Sequence, residues 1–127
     1  MIKTDLDIQI SRFGSTPIVV LSGDIDAYTC LTLRQAVADL IDEGYFRIVI
    51  NLSDVKYVDS SGLGTLVGAL RRTTERNGDL VLSGASSHLR KVLNITGLDK
   101  ILATFPSDRD AIKELSGYEV GLANDRR

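Results

Sequence analysis

Two hydrophobic periods alternate along the chain. Leu6, Ile8 and Ile10 alternate with Asp5, Asp7 and Gln9, the two-residue period of a strand with one wet face. Phe13-Gly14-Ser15-Thr16-Pro17 supplies turn residues. Ile18-Val19-Val20-Leu21 is then continuously apolar, as in a strand covered on both faces. Next the period lengthens: Leu33, Ala36, Val37, Leu40 and Ile41 fall at the spacing of an amphipathic helix. Asp26 stands where such a helix is capped and Gly44 where it stops. Phe46 to Ile50 predicts another strand. Leu63, Leu66, Val67 and Leu70 predict a second helix, opened by Ser60 and ended near Asn77-Gly78. Leu80-Val81-Leu82 reads as a strand. Ser86 or Ser87 caps a third helix that carries Leu89, Val92 and Leu93 and stops at Gly97. Ile101 to Phe105 is a weak last strand, and Ser107 with Asp110 forms a capping pair before Ala111, Ile112 and Leu115.

The predicted order is β-β-α-β-α-β-α-β-α, an α/β domain of about five strands and about four helices. Strands separated by helices need crossover connections, so most of the sheet is expected to be parallel, with helices packed against it. The first strand is expected to pair antiparallel at one side. The domain is expected to span residues 1–115, leaving 116–127, which show no strong pattern, as a disordered tail.

Composition narrows the function classes. A chain of 127 residues fits one hydrophobic core. The net charge of −2 gives none of the basic footprint that nucleic acid requires. Cys30 is the single cysteine, so it forms no internal disulfide and fits a reducing compartment. The start, Met1-Ile2-Lys3-Thr4-Asp5, lacks the apolar stretch of a signal peptide. The apolar runs are too short to cross a bilayer. A cytoplasmic protein with neither nucleic acid nor membrane as partner is expected.

Candidate chemistry concentrates in Asn51-Leu52-Ser53-Asp54-Val55-Lys56-Tyr57-Val58-Asp59-Ser60-Ser61-Gly62-Leu63-Gly64. This stretch leaves a buried strand and enters a helix at Ser60 or Ser61. Helix starts carry free backbone N–H groups and a partial positive charge, so they accommodate anions. A phosphate added to a hydroxyl there brings roughly −1.5 to −2 charges, beside Asp59 and near Asp54. That change can abolish a docking surface while leaving the fold intact. The simpler reading of serine before an apolar helix is an N-cap, and capping accounts for one of the two serines. Gly62 and Gly64 fit either close packing at a crowded turn or a flat surface open to a partner. Gly23-Asp24-Ile25-Asp26 follows the second strand in the corresponding place. Loops at the carboxyl ends of parallel strands gather where ligands bind. Asp26 is then either a plain cap or a residue that orients Ser60 or meets the partner.

These residues resemble a known family. Asp59-Ser60-Ser61-Gly62-Leu63-Gly64 resembles the phosphorylation motif of bacterial anti-sigma factor antagonists, which are STAS-domain proteins. Gly23-Asp24-Ile25-Asp26, with Thr29 and Leu33, is similar to the family's other signature. Leu89-Arg90-Lys91-Val92-Leu93, with Thr96-Gly97-Leu98 and Ile101, is similar to its C-terminal half. The resemblance runs from about Leu6 to Leu115. It implies phosphorylation of Ser60, not Ser61, by an anti-sigma factor serine kinase. The unphosphorylated form would bind that kinase and free a sigma factor, and a phosphoserine phosphatase would restore it. Asp26 is implicated in the kinase contact. Gly23, Asp24, Thr29, Asp59, Ser61, Gly62 and Leu63 complete the expected partner face. The resemblance implies no active site, no metal and no cofactor.

Three rival functions fit the sequence less well. A serine hydrolase needs a base for its nucleophile. His88 is the only histidine, and no Gly-x-Ser-x-Gly elbow occurs. Gly62-Leu63-Gly64-Thr65-Leu66-Val67-Gly68 is glycine-rich but matches neither nucleotide-binding fingerprint. An unphosphorylated STAS scaffold or transport-complex subunit stays within the fold, and Ser60 favours the switched form. Arg34, Arg71, Arg72 and Arg76 read most simply as solvated charge, with part of a contact surface as the alternative.

Overall fold

The computed structural model describes residues 5–115; the expected tail at 116–127 lies outside them. Its elements are β1 (Leu6–Phe13), β2 (Thr16–Ile25), α1 (Cys30–Asp42), β3 (Arg47–Val58), α2 (Ser60–Thr74), β4 (Asp79–Ser83), α3 (Ser87–Thr96), β5 (Thr104–Phe105) and a last helix, α4, at 108–115. A short 3₁₀ turn, Leu98–Lys100, follows α3. The five strands form one sheet in the order β1-β2-β3-β4-β5. β1 runs antiparallel to β2, and the other neighbours are parallel. The order of elements and the strand directions are as the periodicity predicts.

Alternation along the strands divides the core in two. Val19, Leu21, Ile48, Ile50, Leu80 and Leu82 point to the face covered by α1, α2 and α3. Ile18, Val49 and Val81, the intervening positions, meet Ala111, Ile112 and Leu115 of α4 on the other face. Burial on both faces explains why these strands are continuously apolar. A carboxylate reinforces the α4 packing. Asp108 accepts hydrogen bonds from Asn51 Nδ2 at 2.9 Å and from the buried Ser83 hydroxyl.

Helix ends largely follow the sequence. α1 stops at Gly44, whose φ of +95° lets Gly44 N–H and Tyr45 N–H bond back to Ile41 and Leu40. Ser86 caps α3, Gly97 ends it at a φ of +78°, and Ser107 with Asp110 opens α4 as the expected pair.

Four boundaries differ from expectation. Thr16 and Pro17 belong to β2, and the hairpin closes in two residues because Gly14 takes a φ of +61°. α1 starts at Cys30 rather than directly after Asp26; Asp26 instead caps the turn before it, its carboxylate accepting from Tyr28 N–H at 2.9 Å and Thr29 N–H at 3.0 Å. β3 runs on to Val58, well past the Phe46–Ile50 strand that the apolar run predicts. Its apolar positions there, Leu52, Val55 and Val58, are spaced by three because β3 twice inserts one extra residue against β2, which hides the strand period. β5 is two residues long, since Leu102 turns into the main core instead of continuing the strand.

Candidate functional site

β2 and β3 are adjacent and parallel, so their carboxyl ends share one edge of the sheet. Ile25 pairs with Val58 at that edge. The backbone then ties the following loops together, Asp59 N–H donating to Ile25 C=O at 3.1 Å. Gly62 makes the approach possible. A Cβ there would lie 2.6 Å from Ile25 O and 2.7 Å from Val58 Cγ1, so the start of α2 can seat against β2 only with glycine at this position. Gly64 differs: its Cβ position is open, with nothing within 4 Å. Close packing therefore explains Gly62 but not Gly64.

The capping residue of α2 is Asp59, not the serine the sequence suggested. Asp59 is extended, with φ −92° and ψ −173°, and its carboxylate accepts from Gly62 N–H at 2.9 Å. Ser60 thereby becomes the first helical residue. Its side chain is exposed and its hydroxyl makes no hydrogen bond among the described residues. Ser61 is half-buried, and its carbonyl accepts from the Thr65 hydroxyl at 2.9 Å. Leu63 is half-buried and packs on the main core.

The facing loop carries a hydrogen-bond cluster. Thr29 Oγ1 donates to Asp24 C=O at 2.7 Å and accepts from Asp26 N–H at 2.9 Å. Asp26 and Thr29 are 8% and 6% exposed, so both serve the loop's shape from inside. Neither has a hydrogen bond to Ser60 within this cluster. Gly23 has a φ of +121°, and a Cβ there would lie on Asp5 O, which allows β1 to start beside it. Asp24 is half-buried at the rim. The structure thus brings the two loops together, with Ser60 outward and Asp26 and Thr29 beneath the surface.

Three exposed apolar side chains around these loops were not singled out from the sequence. Tyr28 is 86% exposed, Leu31 64% and Tyr57 57%. Tyr28 lies between Asp26 and Thr29, Leu31 in the first turn of α1, and Tyr57 two residues before Asp59. Leu31 stands out of phase with Leu33, Val37, Leu40 and Ile41, which was the available signal. Beyond Ser61 a groove of about 380 Å³ runs between α1 and α2. Gly64 and Gly68 lie along it, and Arg34, Arg71, Arg72 and Glu75 stand at its walls. Arg76 lies apart, its guanidinium 5.4 Å from the Phe46 ring centre.

Fold and site together define a small α/β domain that presents an exposed, uncommitted serine at a helix start. The family model described as "Mlab, STAS domain" matches residues 8–104. The anti-sigma-B factor antagonist of Listeria monocytogenes serovar 1/2a (strain ATCC BAA-679 / EGD-e) is 39% identical over 99 residues, 77% of this chain and 87% of that protein. The crystal structure of an anti-sigma factor antagonist from Mycobacterium paratuberculosis superposes with a TM-score of 0.80 at 25% identity, covering 88% of this chain and 95% of that one. The Bacillus cell fate determinant SpoIIAA in its phosphorylated form shares the fold, with a TM-score of 0.67 at 24% identity over 85% of this chain and 98% of its own. The chain belongs to the anti-sigma factor antagonist family of STAS-domain proteins. Among the described residues, no helix is long and apolar enough to cross a membrane.

Proposed function

We propose that this chain binds an anti-sigma factor serine kinase through the surface around Ser60, so that a sigma factor is released, and that phosphorylation of Ser60 ends the interaction. The single observation that carries the reading is the exchange of roles at the start of α2. Asp59 takes the capping duty and leaves the Ser60 hydroxyl exposed and unbonded. A serine that capped the helix would have to break that bond to react. Ser60 has no such bond to lose.

The surroundings suit the switch. Phosphate on Ser60 would face the N-terminal N–H groups of α2, where negative charge is favoured by roughly 0.3–1 kcal/mol. The domain therefore tolerates the modification. The partner does not, because about −1.5 to −2 charges arrive on the exposed face where it docks. Kinase and phosphatase supply the chemistry; this chain supplies the acceptor hydroxyl and the docking face.

The test is incubation with the anti-sigma factor kinase of the same bacterium and ATP, followed by peptide mass spectrometry, for wild type, Ser60→Ala and Ser61→Ala. One phosphate is expected on wild type and on Ser61→Ala, none on Ser60→Ala, and the phosphorylated form should lose the kinase. Binding without phosphate would make the chain an unswitched STAS partner.

A further inference from the structure

We propose that the arginine-walled groove between α1 and α2 receives an acidic segment of the protein that docks at Ser60, and that phosphate on Ser60 repels this segment. The inference rests on the reading of Ser60 given above and names the chemistry of its partner. The chain carries a net charge of −2, yet Arg34, Arg71 and Arg72 line one groove with Glu75 as the only acidic residue on its walls among the described residues. Their guanidinium groups make no ion pair or hydrogen bond among the described residues.

Folding alone gives an incomplete reason for this arrangement. Arg71 and Arg72 stand in the last turn of α2, where cations favour the helix dipole. Arg34 lines the same groove from α1 and gains nothing from the dipole of α2. Gathering like charge across two packed helices costs repulsion, which a partner can relieve.

The groove's form and place fix the kind of occupant. Gly64 and Gly68 are four residues apart and so share one helix face, with open space where their Cβ atoms would be. A main chain can therefore come close to α2 there. Covering three guanidinium groups with an apolar surface would strip their water without replacement. Carboxylates match them, since the guanidinium fork accepts a carboxylate in two parallel hydrogen bonds. From Ser61 to Glu75 the helix rises roughly 21 Å, the span of about six extended residues. The groove opens at Ser61, next in sequence to Ser60. A phosphate on Ser60 thus places like charge at the mouth of a groove filled with carboxylates.

The experiment measures binding of the same anti-sigma factor kinase to wild type, to Arg34→Gln/Arg71→Gln/Arg72→Gln, and to the corresponding triple lysine variant, from low to high salt. Circular dichroism confirms that each variant is folded. The glutamine variant is expected to bind about tenfold or more weakly with a flatter salt dependence, while the lysine variant recovers most of the affinity. The proposal is overturned if wild type binds and is phosphorylated at Ser60 while the glutamine variant keeps the same affinity and salt dependence. It is overturned equally if inorganic phosphate or ATP alone fills the groove and is lost in the glutamine variant, which would make it a small-anion site. Failure of wild type to bind the kinase at all would defeat the Ser60 reading and this inference together, a pattern distinct from the other two.

Discussion

At the scale of single residues, the start of α2 separates three duties that the sequence runs together. Asp59 satisfies the helix, Ser60 faces outward, and Gly62 lets the helix touch β2. The two glycines should respond oppositely to alanine. Gly62→Ala forces a methyl group against Ile25 O and Val58, and we expect a loss of about 1–3 kcal/mol in urea unfolding. Gly64→Ala meets nothing within 4 Å and removes a flexible residue from a helix interior, so a gain of roughly 0.5–1 kcal/mol is expected. Equal destabilisation by both would show that the turn is crowded throughout. Asp59→Ala should cost about 0.5–2 kcal/mol through the lost cap, measured in the same way.

At the scale of elements, α4 depends on a polar tie as well as on Ala111, Ile112 and Leu115. Asp108 joins it to β3 through Asn51 and to β4 through Ser83. Asp108→Ala leaves the fully buried Ser83 hydroxyl without this partner, and a loss of about 1–3 kcal/mol is expected. Faster amide exchange confined first to α4 would identify the local cause. The start of β4 gives a pH dependence. Burial pushes the Asp79 carboxyl above its ordinary value of 3.8, assisted by Glu114 and opposed by the Leu80 N–H and by Arg47. The folded chain therefore holds this proton more tightly than the unfolded chain does. That contribution to stability is complete below pH 3.8 and is lost as pH rises through the raised value. Asp79→Asn should accordingly melt higher than wild type at neutral pH, with the advantage shrinking on acidification. An advantage independent of pH would contradict the desolvation argument.

At the scale of the whole molecule, the proposed switch would alter a surface and leave the architecture alone. The site stands where α2 leaves the sheet edge, and both hydrophobic layers lie behind it. Phosphorylated protein should therefore unfold within about 1 kcal/mol of the unmodified form, while its binding to the anti-sigma factor collapses. Paired thermal melts and titrations on the two forms distinguish this from a switch that works by unfolding. A large drop in melting temperature on phosphorylation would rule out the surface mechanism.

Much of this was legible in the sequence because local physics decides it. Strand and helix periods follow from the spacing of Val19, Leu21, Leu33, Val37, Ile48 and Ile50. The stops at Gly44 and Gly97 follow from the backbone freedom that only glycine offers cheaply. The Asp59-Ser60-Ser61-Gly62 run marks the candidate site. What the sequence left open was which of its residues does what, because Asp59, Ser60 and Ser61 are all competent caps or neighbours of one. Only packing against Ile25 places Asp59 at the cap and turns Ser60 outward. The extension of β3 to Val58 was concealed by two bulges, which exist only in the pairing with β2. That Asp26 and Thr29 are buried and bonded to one another has no signature along the chain. The convergence of Arg34 with Arg71 and Arg72 likewise has no signature along the chain, because residues about forty positions apart meet only when two helices pack side by side.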